Sequence, residues 1–285
     1  MSIVRIVAAP IAAVALLFFA ATAFAVDAKP TTQWAGYAVT GAKPFTSASG
    51  TWRQPRATCR LGAASAAFWV GLGGFSSESN RIEQIGAAAD CTSKNRPSYY
   101  TWYDLPPNPG VILALKVNAG DLITASVRMN GARTRVALRI ADATTGGSYS
   151  TVLAVTSPDL TSAEWITEAP LDCNGYGSCQ SVALANFGSV AFTRIAAVSG
   201  GHAGTITDAH WANTAIKLVP HTRANSYFPG SSGALPSDST AGAVPSGLTS
   251  AGDSFGVSWK AKTTASTSTP TSPTSPNAYV AGVRR

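Results

Sequence analysis

The stretch "GDLITASVRMNGARTRVALRIAD", residues 120–142, decides the fold class of this chain of 285 residues. Apolar side chains alternate with more polar ones from Ile123 to Met129, and again from Val136 to Ile140. Such alternation is typical of strands with one buried face. Asn130-Gly131 lies between the two runs, and Asn-Gly is a strong hairpin signal because both turn positions must tolerate a positive φ. The segment therefore predicts two antiparallel strands.

Similar short runs recur along the chain, separated by turn residues, and no long stretch has helical periodicity. Because many short antiparallel strands must cover their apolar faces, we predict an all-β fold, an antiparallel two-sheet β-sandwich. The further predicted strands are Trp34–Val39, Ala66–Leu72, Ser98–Asp104, Val111–Val117, Ser181–Phe187 and Ser189–Val198.

The N-terminal stretch, residues 1–25, predicts a secretory signal peptide. Arg5 is its one positive charge, an apolar run follows, and the segment ends in the small-x-small site Ala23-Phe24-Ala25. A membrane anchor is the alternative, but Pro10 and the processing-like ending favour cleavage after Ala25. Because no later segment is long and apolar enough to span a bilayer, we expect a secreted protein without a membrane association.

The remainder of the chain divides by composition. Residues 26–260 offer no clear internal linker, so they predict one β-sandwich domain. Residues 261–285 are rich in Thr, Ser and Pro and too poor in apolar residues to fold, so they predict a disordered tail.

The basic residues are scattered rather than clustered, although the formal net charge is +7. Binding of nucleic acid requires a basic patch or stripe. We therefore expect a mildly cationic surface and no nucleic-acid partner.

The four cysteines predict two disulfides, because the chain is directed to an oxidising compartment. The segment "CNGYGSC" is a short Gly-containing turn that Cys173 and Cys179 could close, which leaves Cys59 to pair with Cys91. A metal site is disfavoured, since neither pair has ligand spacing and no histidine lies near them in sequence.

Several classes of catalysis lack their motifs. His202, His210 and His221 form no HExxH-like pair, and "HAGTITDAHW" at 202–211 is more simply a strand with its turn. The chain has no G-x-S-x-G elbow and no phosphate-binding glycine loop. We predict no metal and no cofactor, which leaves carboxylate and amide chemistry.

The segment "SAEWITEAP", residues 162–170, carries two of the few acidic residues that lie near aromatics. In a strand, Glu164, Ile166 and Glu168 share one face, and Trp165 takes the other. If that face were concave, Glu164 would line a cleft. From the periodicity alone, solvated strand positions are the commoner case for glutamates.

The body of the chain resembles the glutamic peptidases, or eqolisins, in six short segments that occur in the same order. The resemblance implies an exported endopeptidase active at acidic pH, with polypeptide substrates and a sandwich of the concanavalin A-like or jelly-roll type whose bent sheets form a substrate cleft. We further expect a monomer. The six segments are "QWAGY" (33–37), "FWVGLGG" (68–74), "IEQIG" (82–86), "YTWYD" (100–104), "SAEWITEAP" (162–170) and "NFGSVAFT" (186–193).

The resemblance also implies roles for particular residues. It places a catalytic dyad at Gln84 and Glu164, on adjacent strands, with Glu164 as the base that activates water and Gln84 as the donor to the oxyanion. Trp69, Trp102 and Asp104 match family positions that support the site or contact substrate. Glu168 is expected to be accessory or solvated.

The chain departs from the family pattern at two positions that commonly carry aspartates. Gly73 and Ala88 stand there, and Asp90 could substitute only from a shifted position.

Two other functions fit the same architecture. An exported glycoside hydrolase or carbohydrate-binding sandwich would use Glu83 and Glu164 as acid and base. Strand alternation argues against it, because Glu83 and Gln84 point to opposite faces and only one can share a cleft with Glu164. The other is a non-catalytic interaction module.

Overall fold

The computed structural model describes residues 26–59, 63–76, 79, 81–91, 96–173, 179–220 and 241–261, with the backbone alone for 171–173 and 179–181. Within these ranges no helix has the length and hydropathy needed to cross a membrane. The predicted signal peptide lies outside the described residues. Ala261 ends the last strand, and the rest of the predicted tail also lies outside them.

All the regular elements in the described part of the chain are strands, which we number in chain order. They are β1 (Lys29–Thr31), β2 (Trp34–Thr40), β3 (Phe45–Arg53), β4 (Ala64–Leu72), β5 (Glu83–Cys91), β6 (Pro97–Asp104), β7 (Val111–Ile112), β8 (Leu122–Met129), β9 (Arg135–Asp142), β10 (Ser148–Ala154), β11 (Ser162–Glu168), β12 (Leu171–Cys173), β13 (Cys179–Ser181), β14 (Ala183–Leu184), β15 (Ser189–Ser199), β16 (His202–Gly204), β17 (Ala212–Leu218), β18 (Ala241–Pro245) and β19 (Phe255–Ala261).

Hydrogen-bonded ladders join 17 of the strands into one continuous sheet. One series runs β7-β6-β5-β4-β11-β2-β17, and a second runs β19-β15-β3-β8-β9-β10, with β18 pairing to both β17 and β19. The described ladders are antiparallel except β1 with β17 and β14 with β4. The predicted all-β, antiparallel class is confirmed.

The main hydrophobic core lies where the first series contacts the second. Trp165 of β11 is fully buried there, and its Nε1–H donates to the carbonyl of Ser49 on β3 at 2.8 Å. Tyr37 of β2 packs edge-on against Phe255 of β19, with ring centroids 4.7 Å apart. Because each indole or phenyl ring removes a large apolar area from water, these contacts hold the two series together.

A second, smaller apolar cluster covers the opposite face of β2, β4, β5 and β11. Strand alternation separates the two clusters, as predicted for β11: Trp165 belongs to the main core and Ile166 to the second cluster. Glu164 and Glu168 share the side of Ile166. The buried members of the second cluster are Ala38, Ala67, Trp69, Ile82, Ala88, Ile166 and Ile216.

The predicted hairpin at 120–142 forms as β8 and β9, but its turn differs from the expected Asn-Gly pair. Met129 pairs with Val136, and the Asn130 side-chain oxygen accepts hydrogen bonds from the backbone of Thr134 and Arg135. The positive φ, 57°, falls at Arg133 rather than at Asn130 or Gly131. The side-chain bonds of Asn130 therefore stabilise a longer loop.

The predicted strand Val111–Val117 is wrong over most of its length. Only Val111 and Ile112 pair, with Tyr103 and Trp102 of β6, and both are exposed. Leu113 and Val117 are buried outside any strand, so their apolar character reflects core contacts rather than a ladder.

The Cys59–Cys91 disulfide is present as predicted, and it joins the segment before β4 to the end of β5. The backbone of β12 and β13 places Cys173 directly opposite Cys179. The side chains of these two cysteines lie outside the described residues, so the second disulfide stays a prediction.

Candidate active site

Four strands bring Asp104, Gln84, Gly71 and Glu164 into one row across the sheet. Gln84 pairs with Asp104 on one side and with Gly71 on the other, and Gly71 pairs in turn with Glu164. The expectation that Gln84 and Glu164 lie on adjacent strands is wrong. β4 separates them, which places their Cα atoms about 10 Å apart.

Glu164 is enclosed in the protein rather than placed in a cleft. Its exposure is 0%, and among the described residues neither carboxyl oxygen has a hydrogen-bond partner of normal geometry. Burial raises the pKa of Glu164 well above its ordinary value, and the charges of Asp159 and Glu83 raise it further, while the hydroxyl of Ser162 lowers it. Desolvation disfavours the charged form, so the burial of this side chain favours its protonated carboxyl.

Gln84 is also buried, but its side-chain amide is oriented by a neighbour. Its Nε2 donates to Oδ2 of Asp104 at 3.3 Å, and its Oε1 has no partner among the described residues. An amide nitrogen carries two N–H groups, so one remains after the bond to Asp104. Burial raises the pKa of Asp104, and the bond from Gln84 opposes that shift.

Glu168 is held by tryptophans. The Nε1–H of Trp69 donates to its Oε2 at 2.7 Å, and Trp34 packs edge-on against Trp69 with ring centroids 5.1 Å apart. Glu168 was expected to be accessory or solvated; its side chain is partly exposed and is held by the bond from Trp69. Its orientation is fixed by a charge-assisted hydrogen bond.

A cavity of about 840 Å³ opens on this face of the sheet. Gln84, Trp102, Asp104 and Glu168 all line it. Glu164 does not, which corrects the expectation that Glu164 would face a cleft. The remaining lining residues are Ala67, Ala88, Tyr100, Pro106, Pro107, Asn108, Pro109, Gly110, Val111, Ile112 and Pro170.

The carboxyl groups of Glu168 and Asp104 interact electrostatically. The pKa of Glu168 is raised to about 7: burial raises it most, the hydrogen bonds from Trp69 and Trp34 lower it, and the charge of Asp104 raises it. A carboxyl with a pKa near 7 exchanges its proton readily at neutral pH. Glu168 is therefore a group that could take and return a proton inside the cavity.

Asp90, which could substitute for an absent aspartate only from a shifted position, does not line the cavity. Asp90 accepts a hydrogen bond from Ser65 at 2.5 Å and pairs across the ladder with Ser98, six residues along β5 from Gln84. Asp159 instead approaches Gly73 and accepts a hydrogen bond from the backbone N–H of Gly74 at 3.0 Å. Sequence reasoning missed Asp159 because it precedes β11 and lies far from Gly73 in sequence.

The segment from Pro106 to Ile112 forms a wall of the cavity that the sequence did not predict. It carries three prolines, and Ile112 is 70% exposed. The proline content was visible in the sequence. The position of the segment beside Gln84 and Ala88 of β5 depends on the pairing of β6 with β7.

A family model described as the peptidase A4 family matches residues 32–231. Aspergillopepsin-2 of Aspergillus niger is 31% identical over 165 residues, which are 56% of this chain and 55% of that protein. The chain thus spans about half the length of this curated relative.

Two solved structures resemble the fold. One is scytalido-glutamic peptidase, which was solved with a peptide based transition state analog. Its TM-score is 0.61 at 22% identity, and the match covers 80% of this chain and 98% of the peptidase chain. SCP-B, an eqolisin solved with the tripeptide Ala-Ile-His, has a TM-score of 0.58 at 21% identity with the same coverage.

Proposed function

This chain belongs to the peptidase A4 family, as its motifs predicted, and on that premise we propose that it is an endopeptidase that hydrolyses peptide bonds without a covalent intermediate. One observation carries the proposal: Glu168 and Gln84 line the same cavity. The relatives described above are peptidases by name, and two were solved with peptide ligands. We extend that substrate class, polypeptides, to this chain.

Glu168, rather than Glu164, is the proposed general base. A base must reach the water whose proton it takes, and Glu168 lines the cavity while Glu164 has no exposed surface. The indole of Trp69 fixes the orientation of Oε2, and the carboxylate has further lone pairs that can accept a proton. Glu168 would then return that proton to the departing amine.

Gln84 is the proposed donor to the oxyanion. Its bond to Asp104 fixes the orientation of the amide, and the second N–H of Nε2 can point to the carbonyl oxygen of a bound peptide. A donor positioned before the reaction stabilises the developing negative charge at little reorganisation cost. Asp104 acts through Gln84 and is a positioning residue, and Trp102 supplies a flat apolar wall for the substrate.

We propose that the two series of strands are the two sheets of the predicted sandwich. The contacts of Trp165 with Ser49 and of Tyr37 with Phe255 join one face of the first series to the second. The cavity lies on the other face of the first series. In this arrangement the bent first sheet forms the floor of the substrate cleft.

The resemblance implies activity at acidic pH, whereas the site leads to a more specific expectation. Because the pKa of Glu168 is about 7 in the unliganded protein, the ionised base is a minority at low pH. Activity at acidic pH requires either that substrate lowers this pKa or that Glu168 enters the reaction as the acid. The pH dependence of kcat/KM distinguishes these two routes.

Secretion and a monomeric state complete the proposal. The described Cys59–Cys91 disulfide is typical of an oxidising compartment. Edman sequencing of the protein recovered from the culture medium of a secreting host would test cleavage after Ala25, and light scattering would test the monomer.

The deciding experiment digests a denatured protein substrate from pH 2 to 8 with the purified wild type and with Glu168→Gln, Gln84→Ala and Glu164→Gln. Loss of cleavage in the first two, with Glu164→Gln active, supports the proposal. Loss only in Glu164→Gln would return the base to the residue that the motif first indicated.

The glycoside-hydrolase alternative now depends on different residues. Glu83 and Glu164 do not line the cavity, but Asp104 and Glu168 form a carboxyl pair beside Trp102 and Tyr100, which suits a sugar ring. Cleavage of glucans without cleavage of peptides would support that function. Neither activity in a folded protein would support a non-catalytic module.

A further inference from the structure

A second group of side chains able to bind a ligand lies outside the cavity. His202 begins β16, and Asp208 and His210 lie in the turn that follows it. Their potential ligand atoms all lie within 4.8 Å of one another. None of the three residues lines the cavity of Glu168 and Gln84.

The carboxylate of Asp208 lies between the two imidazoles. Its Oδ2 is 2.9 Å from Nε2 of His202, and its Oδ1 is 2.8 Å from Nδ1 of His210. The two imidazole rings are 3.8 Å apart at their centroids. Two imidazoles and one carboxylate that converge on one point are a common three-residue ligand set for zinc.

The turn that carries these ligands is held in place by its own hydrogen bonds. The N–H of Asp208 donates to the carbonyl of Thr205 at 3.2 Å, and the indole of Trp211 donates to the same carbonyl at 2.9 Å. Trp211 also packs against Phe45, with ring centroids 5.5 Å apart. The ligands are therefore positioned before any ion arrives, which lowers the entropic cost of binding.

The backbone also shapes the site around the carboxylate. The backbone N–H of His210 donates to Oδ1 of Asp208 at 2.9 Å, which fixes the orientation of this carboxylate. A Cβ built at Gly204 would lie 2.2 Å from Oδ2 of Asp208, so only glycine leaves room for this oxygen. Hydrogen bonds and close packing around a ligand are what orient it in metal sites.

We propose that His202, Asp208 and His210 form a binding site for a divalent transition-metal ion of the zinc class. Tetrahedral zinc with ligands about 2.1 Å away separates its ligand atoms by about 3.4 Å. The observed separations of 2.8 and 2.9 Å between nitrogen and oxygen need only a small outward shift of the rings. Solvent reaches the site, so a water can take the fourth position.

The bound ion would stabilise the fold locally rather than take part in hydrolysis. It would tie the turn to β16, and β16 pairs with the end of β15. An ion that binds only the folded protein raises the melting temperature, and the increase grows with the ratio of the free ion concentration to its Kd. The sequence predicted no metal. Five residues separate His202 from Asp208 and one separates Asp208 from His210, and these spacings match no known ligand motif. The turn brings the three side chains together.

The test is calorimetric titration of the EDTA-treated full chain with zinc chloride at neutral pH, repeated on four variants. We expect one zinc ion per chain, binding more than about tenfold weaker in His202→Ala, Asp208→Asn and His210→Ala, and unchanged binding in His221→Ala. The chain has three histidines in all, so His221→Ala is a matched control. The side chain of His210 is 64% exposed, so His210→Ala is the variant most certain to fold.

Two further measurements complete the test. Zinc should raise the melting temperature of the wild type and not that of His210→Ala, and cobalt should give the visible absorption of a tetrahedral complex. No zinc uptake by the wild type, or equal uptake by His210→Ala, would overturn the site. Since none of the three ligands lines the cavity, EDTA should leave peptide cleavage unchanged, and loss of cleavage would contradict the separation of the two sites.

Discussion

The indole Nε1–H of Trp69 donates a 2.7 Å hydrogen bond to Oε2 of Glu168, across the ladder between β4 and β11. The ladder partner of Trp69 is Ile166. The indole therefore reaches along the sheet to Glu168, which is the next residue of β11 on the same face. The bond favours the ionised carboxylate, and burial opposes it. The proton affinity of the proposed base is thus set by two opposing effects, burial and the hydrogen bond from Trp69, which can be changed separately.

Glu168→Gln should lower kcat/KM by about 10²- to 10⁴-fold, the usual contribution of a general base. Glu164→Gln should retain activity within a few fold, since a carboxyl and an amide have nearly the same shape and the side chain at this position is buried away from the cavity. Steady-state kinetics on a peptide substrate measures both. The two variants control for each other, because the residues share one face of β11, and equal losses would refute the distinction.

Gln84→Ala should lower kcat by about 10²- to 10³-fold, with a smaller change in KM, because the lost interaction belongs to the transition state. Its control is Glu83→Gln, at the neighbouring position on the opposite face and outside the cavity lining. A change in KM alone would indicate that Gln84 only binds substrate.

Trp69→Phe should raise the pKa of Glu168 above about 7, because it removes a hydrogen bond that lowers this pKa. The acidic limb of the kcat/KM profile should move to higher pH if Glu168 reacts as a base. Trp52→Phe, in the main core, should lower stability and leave the profile in place. An unchanged limb in Trp69→Phe would remove Trp69 from the site.

Stability should fall as the pH rises from about 4.5 to above 7. The pKa of Glu164 lies well above its ordinary value of 4.5, and burial raises that of Glu83 to about 7. The folded protein then keeps protons that the unfolded chain releases. The stabilisation is therefore fully present at a pH below the carboxyl pKa of the unfolded chain, and it is lost as the pH rises through the higher pKa of the folded protein.

Urea unfolding at pH 5 and pH 8 measures this loss, which should exceed about 1 kcal/mol. Glu164→Gln should make stability less dependent on pH, and an equal dependence in that variant would contradict the assignment. The pKa values of Asp142 and Asp159 are lowered, so their contribution is lost below about pH 4 and stability should be greatest near pH 4 to 5.

Cys59→Ser with Cys91→Ser should destabilise the protein by roughly 3 to 4 kcal/mol, because the bond closes a loop with a sequence separation of 32. Differential scanning calorimetry would show the lower melting temperature. The double variant Cys173→Ser with Cys179→Ser should cost less, since that predicted bond closes a much shorter loop.

The sequence determined those features that depend on local periodicity. Alternation predicted that Trp165 faces away from Glu164 and Glu168, and both the separate core clusters and the 2.8 Å bond of Trp165 to Ser49 agree with it. The spacing of the cysteines predicted the Cys59–Cys91 bond. Six ordered motifs predicted the family.

The tertiary structure decided which of the equivalent side chains reaches solvent. Period-2 alternation places Glu164 and Glu168 on the same face, and it contains no information about what lies above that face. The ladder partners differ: Glu164 lies opposite Gly71 and has no exposed surface, whereas Glu168 lies opposite Ala67 and lines the cavity. Likewise, only the turn after β16 brings His202 and His210 to the same carboxylate, because their separation depends on backbone geometry rather than on sequence spacing.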